Sequence, residues 1–211
     1  MKKHAFTLAE VLITLGIIGV VAALTMPSLI GNYQKNVVTT RMKKFYSMIN
    51  QAALMRTAHE QELNKSMLTA ADNPNIMLDF FNTNYAPYIT TVKTKTKNKG
   101  LAVAFTDGSG VYMWKDYAGG AAYQSTASTY TLFCPVYRDC ENIEETKEIG
   151  YLLDGKKIFL FWTDGGLPVP GAWDGTRDGL KAECGGKGKN NYACAKLIAD
   201  DGWQIKDDYP W

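Results

Sequence analysis

An apolar run close to the N-terminus constrains this chain more than any other feature. Residues 11–24 contain a single polar side chain, Thr14, and the run counted from Phe6 to Leu24 has 19 residues. A helix of this length, at about 1.5 Å per residue, is roughly 28 Å long, which is close to the hydrocarbon thickness of a bilayer. Two lysines precede the run, so the positive-inside rule predicts a cytoplasmic N-terminus and a body outside the cytoplasm.

Glu10 is an anomaly at the start of this segment. A carboxylate inside a spanning helix costs on the order of 2.5–3.5 kcal/mol on insertion scales, so such a residue is usually paired. A free amine at Phe6 would neutralise it if residues 1–5 were removed, and in an assembly that amine could belong to a neighbouring subunit. The alternative that stays open is a carboxylate near the helix end that reaches water or becomes protonated.

The run from Ala5 to Glu10, followed by the apolar stretch, resembles the class III leader of type IV pilins and type II secretion pseudopilins. The resemblance implies that a prepilin peptidase cuts between Ala5 and Phe6 and methylates the new amine of Phe6. It also implies that Glu10 neutralises the amine of an adjacent subunit during assembly. Pro27 matches a proline that commonly kinks the stalk helix of the family, whereas Ala5 stands where the family usually has glycine.

Two competing interpretations of the same residues stay open. An ordinary secretory signal peptide would use the lysine pair as its charged region and the small residues 21–23 as a cleavage site before Leu24. An uncleaved membrane anchor would retain Met1. Glu10 argues against the signal peptide, because a charge at the start of its hydrophobic region is unusual.

The next segment, residues 31–71, predicts one long amphipathic helix packed under a globular head. Pro27 and Gly31 predict a break or kink near residues 26–31, and the breakers at 72–75 predict an end near Ala71. The apolar stripe has helical spacing and consists of Tyr33, Val37, Val38, Met42, Phe45, Met48, Ile49, Ala52, Met55, Leu63 and Met67.

The remainder of the chain predicts an α+β fold: a long N-terminal spine helix packed on a small antiparallel sheet. This order resembles the pilin fold. Two hairpins are predicted, one from Leu101–Phe105 and Val111–Trp114, the other from Ile149–Leu153 and Ile158–Trp162. Residues 117–129 and 164–179 are predicted to be exposed loops, and residues 192–200 a short helix. The C-terminal tail also resembles those of pseudopilin-like proteins.

The composition argues against an enzyme and against a nucleic-acid binder. Only two histidines occur, His4 and His59, which nearly removes Ser-His-Asp, Cys-His and histidine-ligated metal chemistry. The formal net charge of +2 is too small for a general nucleic-acid binder. Lysines 93, 95, 97 and 99 could form a DNA-uptake patch, but they lack interleaved aromatic residues. An edge strand guarded by lysine against aggregation is the favoured interpretation.

Four cysteines lie in the predicted exported head. They predict disulfides, with the local pairs Cys134–Cys140 and Cys184–Cys194 favoured over the other two connectivities. Zinc is disfavoured because neither spacing is C-x-x-C. No cofactor is expected. Calcium is a weak possibility, because some type II secretion major pseudopilins bind it in their C-terminal loops, and its candidate ligands here are Asp164, Asp174 and Asp178.

These expectations divide the chain into a leader (1–5), a transmembrane and assembly helix (6–30), an amphipathic stalk helix (31–71) and an exported head (72–211). The expected function is that of a non-enzymatic structural subunit of a type IV pilus or type II secretion-like filament. Its expected partners are copies of itself, the prepilin peptidase and the inner-membrane assembly platform, with the filament periplasmic or at the cell surface. The alternative is a binding domain or hydrolase outside the cytoplasm that uses the helix only as a tether or signal.

Overall fold

The computed structural model describes residues 7–59, 73–114, 129–147, 149–164, 167–171, 175–185 and 191–211. The chain divides into two compact units, Met1–Val37 and Val38–Trp211. The layout is α+β, with a long N-terminal helix and a six-stranded antiparallel sheet, which confirms the predicted fold class.

Helix α1 spans Leu8–Ala58 and belongs to both units. It continues through Pro27, so the predicted break at residues 26–31 is wrong, and a kink at Pro27 stays a prediction. The helix also ends at Ala58 instead of near Ala71; the predicted continuation over 60–71 lies outside the described residues. An apolar stripe with helical spacing is sufficient to propose a helix, but the stripe alone does not locate its end.

Within the second unit, the buried face of α1 follows the predicted stripe. Val38, Met42, Phe45, Ile49 and Ala52 belong to the main hydrophobic core. The ring of Phe45 lies at centroid distances of 5.9, 5.0 and 5.2 Å from three phenylalanines of the sheet, Phe105, Phe133 and Phe161. This part of the helix therefore packs on the sheet, as predicted.

Helix α2 (Pro74–Asn84) begins where the sequence predicted only a helix stop. The side-chain oxygen of Asn73 accepts hydrogen bonds from the backbone amides of Asn75 (3.0 Å) and Ile76 (3.3 Å). Pro74 occupies the first helical position, where its missing N–H removes no hydrogen bond. Residues that the sequence predicted as a stop signal are thus the start signal of α2.

The sheet is a meander in which each strand pairs antiparallel with its sequence neighbours. Its strands are β1 (Thr91–Thr96), β2 (Gly100–Phe105), β3 (Gly110–Trp114), β4 (Thr129–Cys134), β5 (Phe159–Asp164) and β6 (Leu167–Pro170). The first predicted hairpin is confirmed as β2 and β3, and β1 is an edge strand as predicted.

Both faces of the central strands are buried. Along β2, Leu101, Val103 and Phe105 point into the core that contains α1, whereas Ala102 belongs to a second core. The second core contains Tyr112 and Trp114 of β3 and the β4 residues Leu132 and Cys134. The apolar runs of β2 and β3 reflect this burial on two sides, since a strand with one wet face would alternate in polarity.

The segment that covers the second face replaces the second predicted hairpin. It contains α3 (Tyr137–Glu141) and α4 (Ile149–Leu152), and its Ile143, Leu152 and Leu153 are buried in the second core. The prediction of a strand over Ile149–Leu153 is therefore wrong, because this short apolar run packs as a helical turn. Strand β5 pairs with β4 and β6 instead.

The C-terminal part contains α5 (Arg177–Cys184) and α6 (Cys194–Asp200). Helix α6 confirms the predicted short helix. The predicted loop over 164–179 is wrong in part, because β6 and the start of α5 lie within it. Most of the predicted loop over 117–129 lies outside the described residues, and its last residue, Thr129, begins β4.

The structure joins Cys134 to Cys140 and Cys184 to Cys194, which are the local pairs that the spacing favoured. The first disulfide links the end of β4 to α3, and the second links the end of α5 to the start of α6. All four cysteines are buried. Each bond closes a short loop and restricts the unfolded chain, so each stabilises the head.

Candidate functional site

The start of α1 holds Glu10 in a reciprocal helix cap. The Oε2 atom of Glu10 accepts hydrogen bonds from the backbone amide and from the hydroxyl of Thr7, both at 2.8 Å. The Thr7 Oγ1 atom in turn accepts from the backbone amide of Glu10 at 3.3 Å. Thr7 precedes the first helical residue by one, so Thr7-x-x-Glu10 is a capping box. Ala5 and Phe6 lie outside the described residues.

The helix that follows this cap exposes its apolar side chains. Between Leu8 and Ile30 the exposed large hydrophobic residues range from 43% exposure at Val11 to 80% at Leu8. Within the described part of the chain, α1 is the one helix long and apolar enough to cross a membrane. Burying so much apolar surface requires lipid or other apolar helices.

Two lysines of β1, and Lys97 directly after it, contact the segment that covers the second face of the sheet. The Lys93 and Lys95 ammonium groups lie 2.9 and 3.1 Å from Glu141 Oε1. Lys97 donates to the backbone carbonyls of Glu141 (2.9 Å) and Ile143 (2.7 Å). Hydrogen bonds from the two ammonium groups hold the pKa of Glu141 below its usual range. The lysines thus bind the segment that covers the second face to the edge strand. Because their ammonium groups are already paired, this arrangement argues against a DNA-binding patch.

Of the three calcium candidates, the structure describes the side chain of Asp178 alone. Asp178 is exposed in the first turn of α5, and Asp164 ends β5. Asp174 lies outside the described residues. In the part of the chain that the structure describes, no group of three or more His, Cys, Asp or Glu side chains is placed to hold a metal ion.

A cluster that the sequence did not predict lies beside Asp178. The Arg177 guanidinium donates to both carboxylate oxygens of Asp201, at 3.0 and 2.9 Å, and to both of Asp208, at 2.7 and 2.8 Å. Lys181 adds a contact of 3.0 Å to Asp208, and Lys206 one of 2.6 Å to Asp201. Hydrogen bonds from Arg177 lower the pKa of both carboxyl groups, and that of Asp208 well below its usual range. Arg177 and Asp208 are 31 residues apart, so no local pattern signals this pair.

Comparisons with known proteins support this division into an exposed apolar helix and a folded head. Residues 28–211 match the model of a family described as "Family of unknown function (DUF6613)". The chain belongs to that family. Residues 1–26 match the model of the prokaryotic N-terminal methylation motif, which is the type IV prepilin leader. No curated protein and no solved structure matches the chain.

The leader confirms the resemblance drawn from residues 5–10 and decides the broad class of this family member. A type IV prepilin leader followed by an exposed apolar helix is characteristic of a pilin-like or pseudopilin-like protein. Such a protein is anchored in a membrane by the helix, with its head outside the cytoplasm. Two disulfides in the head are consistent with that placement, since disulfides persist in oxidising compartments.

Proposed function

We propose that this chain is a structural filament subunit, a pilin or pseudopilin, of a type IV pilus or type II secretion-like filament. The observation that carries the proposal is the match of residues 1–26 to the prepilin leader, on a helix whose apolar side chains are exposed. In the membrane these side chains contact lipid. In the filament they contact the same helices of neighbouring copies, so extraction exchanges one apolar environment for another.

The proposed maturation leaves the head unchanged and creates a charge at the helix start. The prepilin peptidase cleaves between Ala5 and Phe6 and methylates the amine of Phe6, which leaves a chain that begins directly before Thr7. Residues 6–30 then serve as the membrane and assembly helix, and the assembly platform of the inner membrane feeds the subunit into the filament.

Glu10 gives the assembly its axial register in this proposal. Thr7 already holds the Oε2 atom, whereas Oε1 makes no hydrogen bond within the described chain. Oε1 is therefore the oxygen that accepts from the Phe6 amine of the neighbouring copy. Either charge alone in an apolar filament core would be costly, so only copies in the correct stagger associate well.

Variants at two positions separate the charge of Glu10 from its role in the cap. Glu10→Gln keeps a side-chain oxygen that Thr7 can bond, because glutamine also serves in capping boxes, but it removes the charge. Thr7→Ala removes the threonine side of the cap and keeps the charge. We expect both variants to insert in the membrane, and only Glu10→Gln to be lost from the filament fraction.

The measurement is an immunoblot of the membrane fraction and of the sheared filament fraction from cells that express each variant. Equal levels in the membrane fraction show that insertion is intact. Incorporation of Glu10→Gln into filaments at the level of the native chain would contradict the proposed charge pairing. If the native chain appears in the membrane fraction but in no polymer, the filament proposal itself fails.

A further inference from the structure

The last residues of the chain, 201–211, form a segment that we call the C-terminal strap. The strap begins at the end of α6, where the chain reverses through two consecutive left-handed residues, Gly202 (φ 73°) and Trp203 (φ 62°). The backbone amide of Trp203 donates to the carbonyl of Ile198 at 2.8 Å, which closes the end of the helix. After this reversal the strap runs back over the head.

Contacts with three other parts of the head hold the strap. Arg177 of α5 binds the carboxylates of Asp201, the first residue of the strap, and of Asp208, the eighth. The ring of Trp203 lies 5.1 Å from that of Tyr46 in α1. The hydroxyl of Tyr209 donates to the carbonyl of Gly155 at 2.7 Å, in the turn before β5.

The strap passes beside both sulfur-bearing residues of the second disulfide. A Cβ atom placed on Gly155 would lie 2.7 Å from Cys194 Sγ and 3.2 Å from the hydroxyl of Tyr209, so these two atoms meet at the same glycine. On the other side, Pro210 lies against Gly185, the residue that follows Cys184. The two cysteines are 3% and 0% exposed.

We propose that the C-terminal strap is a lid, locked by Arg177, that shields the Cys184–Cys194 disulfide from thiol reductants. A thiolate reduces a disulfide by attacking one sulfur along the S–S axis; the other sulfur leaves as a thiolate, and a mixed disulfide forms. A second thiolate then resolves the mixed disulfide and releases the first cysteine as a thiol. The reductant is thereby oxidised to its own disulfide. The attack needs open access to one sulfur, which the strap denies while it is closed.

The ion pairs of Arg177 with Asp201 and Asp208 are expected to keep the strap closed over a wide pH range. The low pKa values of Asp201 and Asp208 mean that both carboxylates stay ionised, and bound to Arg177, under mildly acidic conditions. The stability from such groups is present above their unfolded pKa and is lost only as the pH falls through the folded pKa. The geometry thus indicates a structural disulfide that the closed strap shields. This inference does not depend on filament assembly.

The other disulfide supplies an internal control for the test. The full chain in detergent is treated with dithiothreitol, trapped with iodoacetamide at intervals, and digested for mass spectrometry, so that both reduction rates come from one sample. Cys134–Cys140 lies in the second core, whereas Trp203, Tyr209 and Trp211 of the strap pack in or against the main core. We expect Arg177→Gln to accelerate reduction of Cys184–Cys194 by about tenfold while Cys134–Cys140 keeps its rate.

Two further variants serve as controls, one for misfolding of the Arg177 variant and one for the loss of a positive charge as such. Tyr209→Phe removes one hydroxyl of the lid and is expected to accelerate the same bond by a smaller factor. Lys196→Gln removes the exposed Lys196–Asp200 pair of α6 and is expected to leave both rates unchanged. The proposal is overturned if neither lid variant accelerates Cys184–Cys194, or if both lid variants accelerate the two disulfides equally.

Discussion

Helix α1 places similar side chains in two opposite environments. Before Val38 its leucines, isoleucines and valines are largely exposed, whereas from Val38 to Ala53 its apolar residues are buried or half-buried. The composition of the first part is too apolar for a protein surface in water, and the second part has the one-sided pattern of a soluble helix. One continuous helix therefore has an apolar part suited to lipid or other apolar helices and a part that packs in the head. We expect truncation of an apolar side chain to destabilise the head only in the second part.

The sharpest test of that contrast is a pair of truncations in the same helix. Phe45→Ala should lower the free energy of unfolding of the head by about 3–5 kcal/mol, because it empties a buried site among three phenylalanines. Ile17→Ala should leave the unfolding of the head unchanged, since Ile17 is 60% exposed and belongs to the other unit. Denaturant titration of both variants in detergent, followed by tryptophan fluorescence, measures this. Equal losses would remove the distinction between the two halves.

The head also excludes water from polar groups, which alkaline titration can detect. Burial raises the pKa of Tyr85 to about 12, opposed by the charge and hydrogen bond of Arg56. Because the folded state holds this proton more tightly than the unfolded state, the contribution to stability is present below pH 10 and is lost between pH 10 and about 12. Two pKa units correspond to about 2–3 kcal/mol.

Tyrosinate absorbance of the native chain and of Tyr85→Phe, compared as a difference titration, isolates this residue. The expected difference curve has its midpoint near 12. A midpoint near the ordinary tyrosine value of about 10 would show that water reaches the hydroxyl and that the core is looser than described.

Trp203 gives a smaller and more unusual effect. Its φ of 62° disfavours any residue with a Cβ atom, so the ring is held there by its packing on Tyr46. Trp203→Ala loses the packing and keeps the strained backbone, whereas Trp203→Gly loses the packing and relieves the strain. We expect the glycine variant to be the more stable by about 1 kcal/mol in a thermal or denaturant midpoint comparison. The reverse order would place the conformation of the strap in error.

The smallest expected effect is at the edge strand. Lys95→Gln removes one ammonium from Glu141, but Lys93 keeps the carboxylate paired and both lysines are about half exposed. Exposed pairs contribute little, so the denaturant midpoint should stay within experimental error of the native value. A shift as large as that of Phe45→Ala would mean that the covering segment depends on this pair.

The parts of the fold that could be predicted from the sequence are those that depend on local periodicity. The stripe through Met42, Phe45 and Ile49 predicted a packed helix, and the turn residues between β2 and β3 predicted a hairpin. The strand predicted over Ile149–Leu153 failed because a short apolar run can be buried equally well as a helical turn. Asn73 and Pro74 are both a stop and a start signal, and only the next turn of chain distinguishes the two.

The functional residues also divide into those that a local sequence pattern predicts and those that only the tertiary fold brings together. The leader and Glu10 could be predicted, because their spacing is short and their residue types are specific. The Arg177 cluster could not, because it joins side chains of α5 to those of the C-terminal strap through tertiary folding alone. The sequence predicted Asp178, beside Arg177, as a candidate calcium ligand. The carboxylates that bind Arg177 are instead those of Asp201 and Asp208.

The central claim, that the chain is processed as a prepilin, is tested most directly by intact-mass and N-terminal analysis of the protein from its native membranes. We predict a chain that begins at N-methylated Phe6, with residues 1–5 removed. A chain that begins at Leu24, or one that retains Met1, would contradict it and make the helix a signal peptide or a plain anchor.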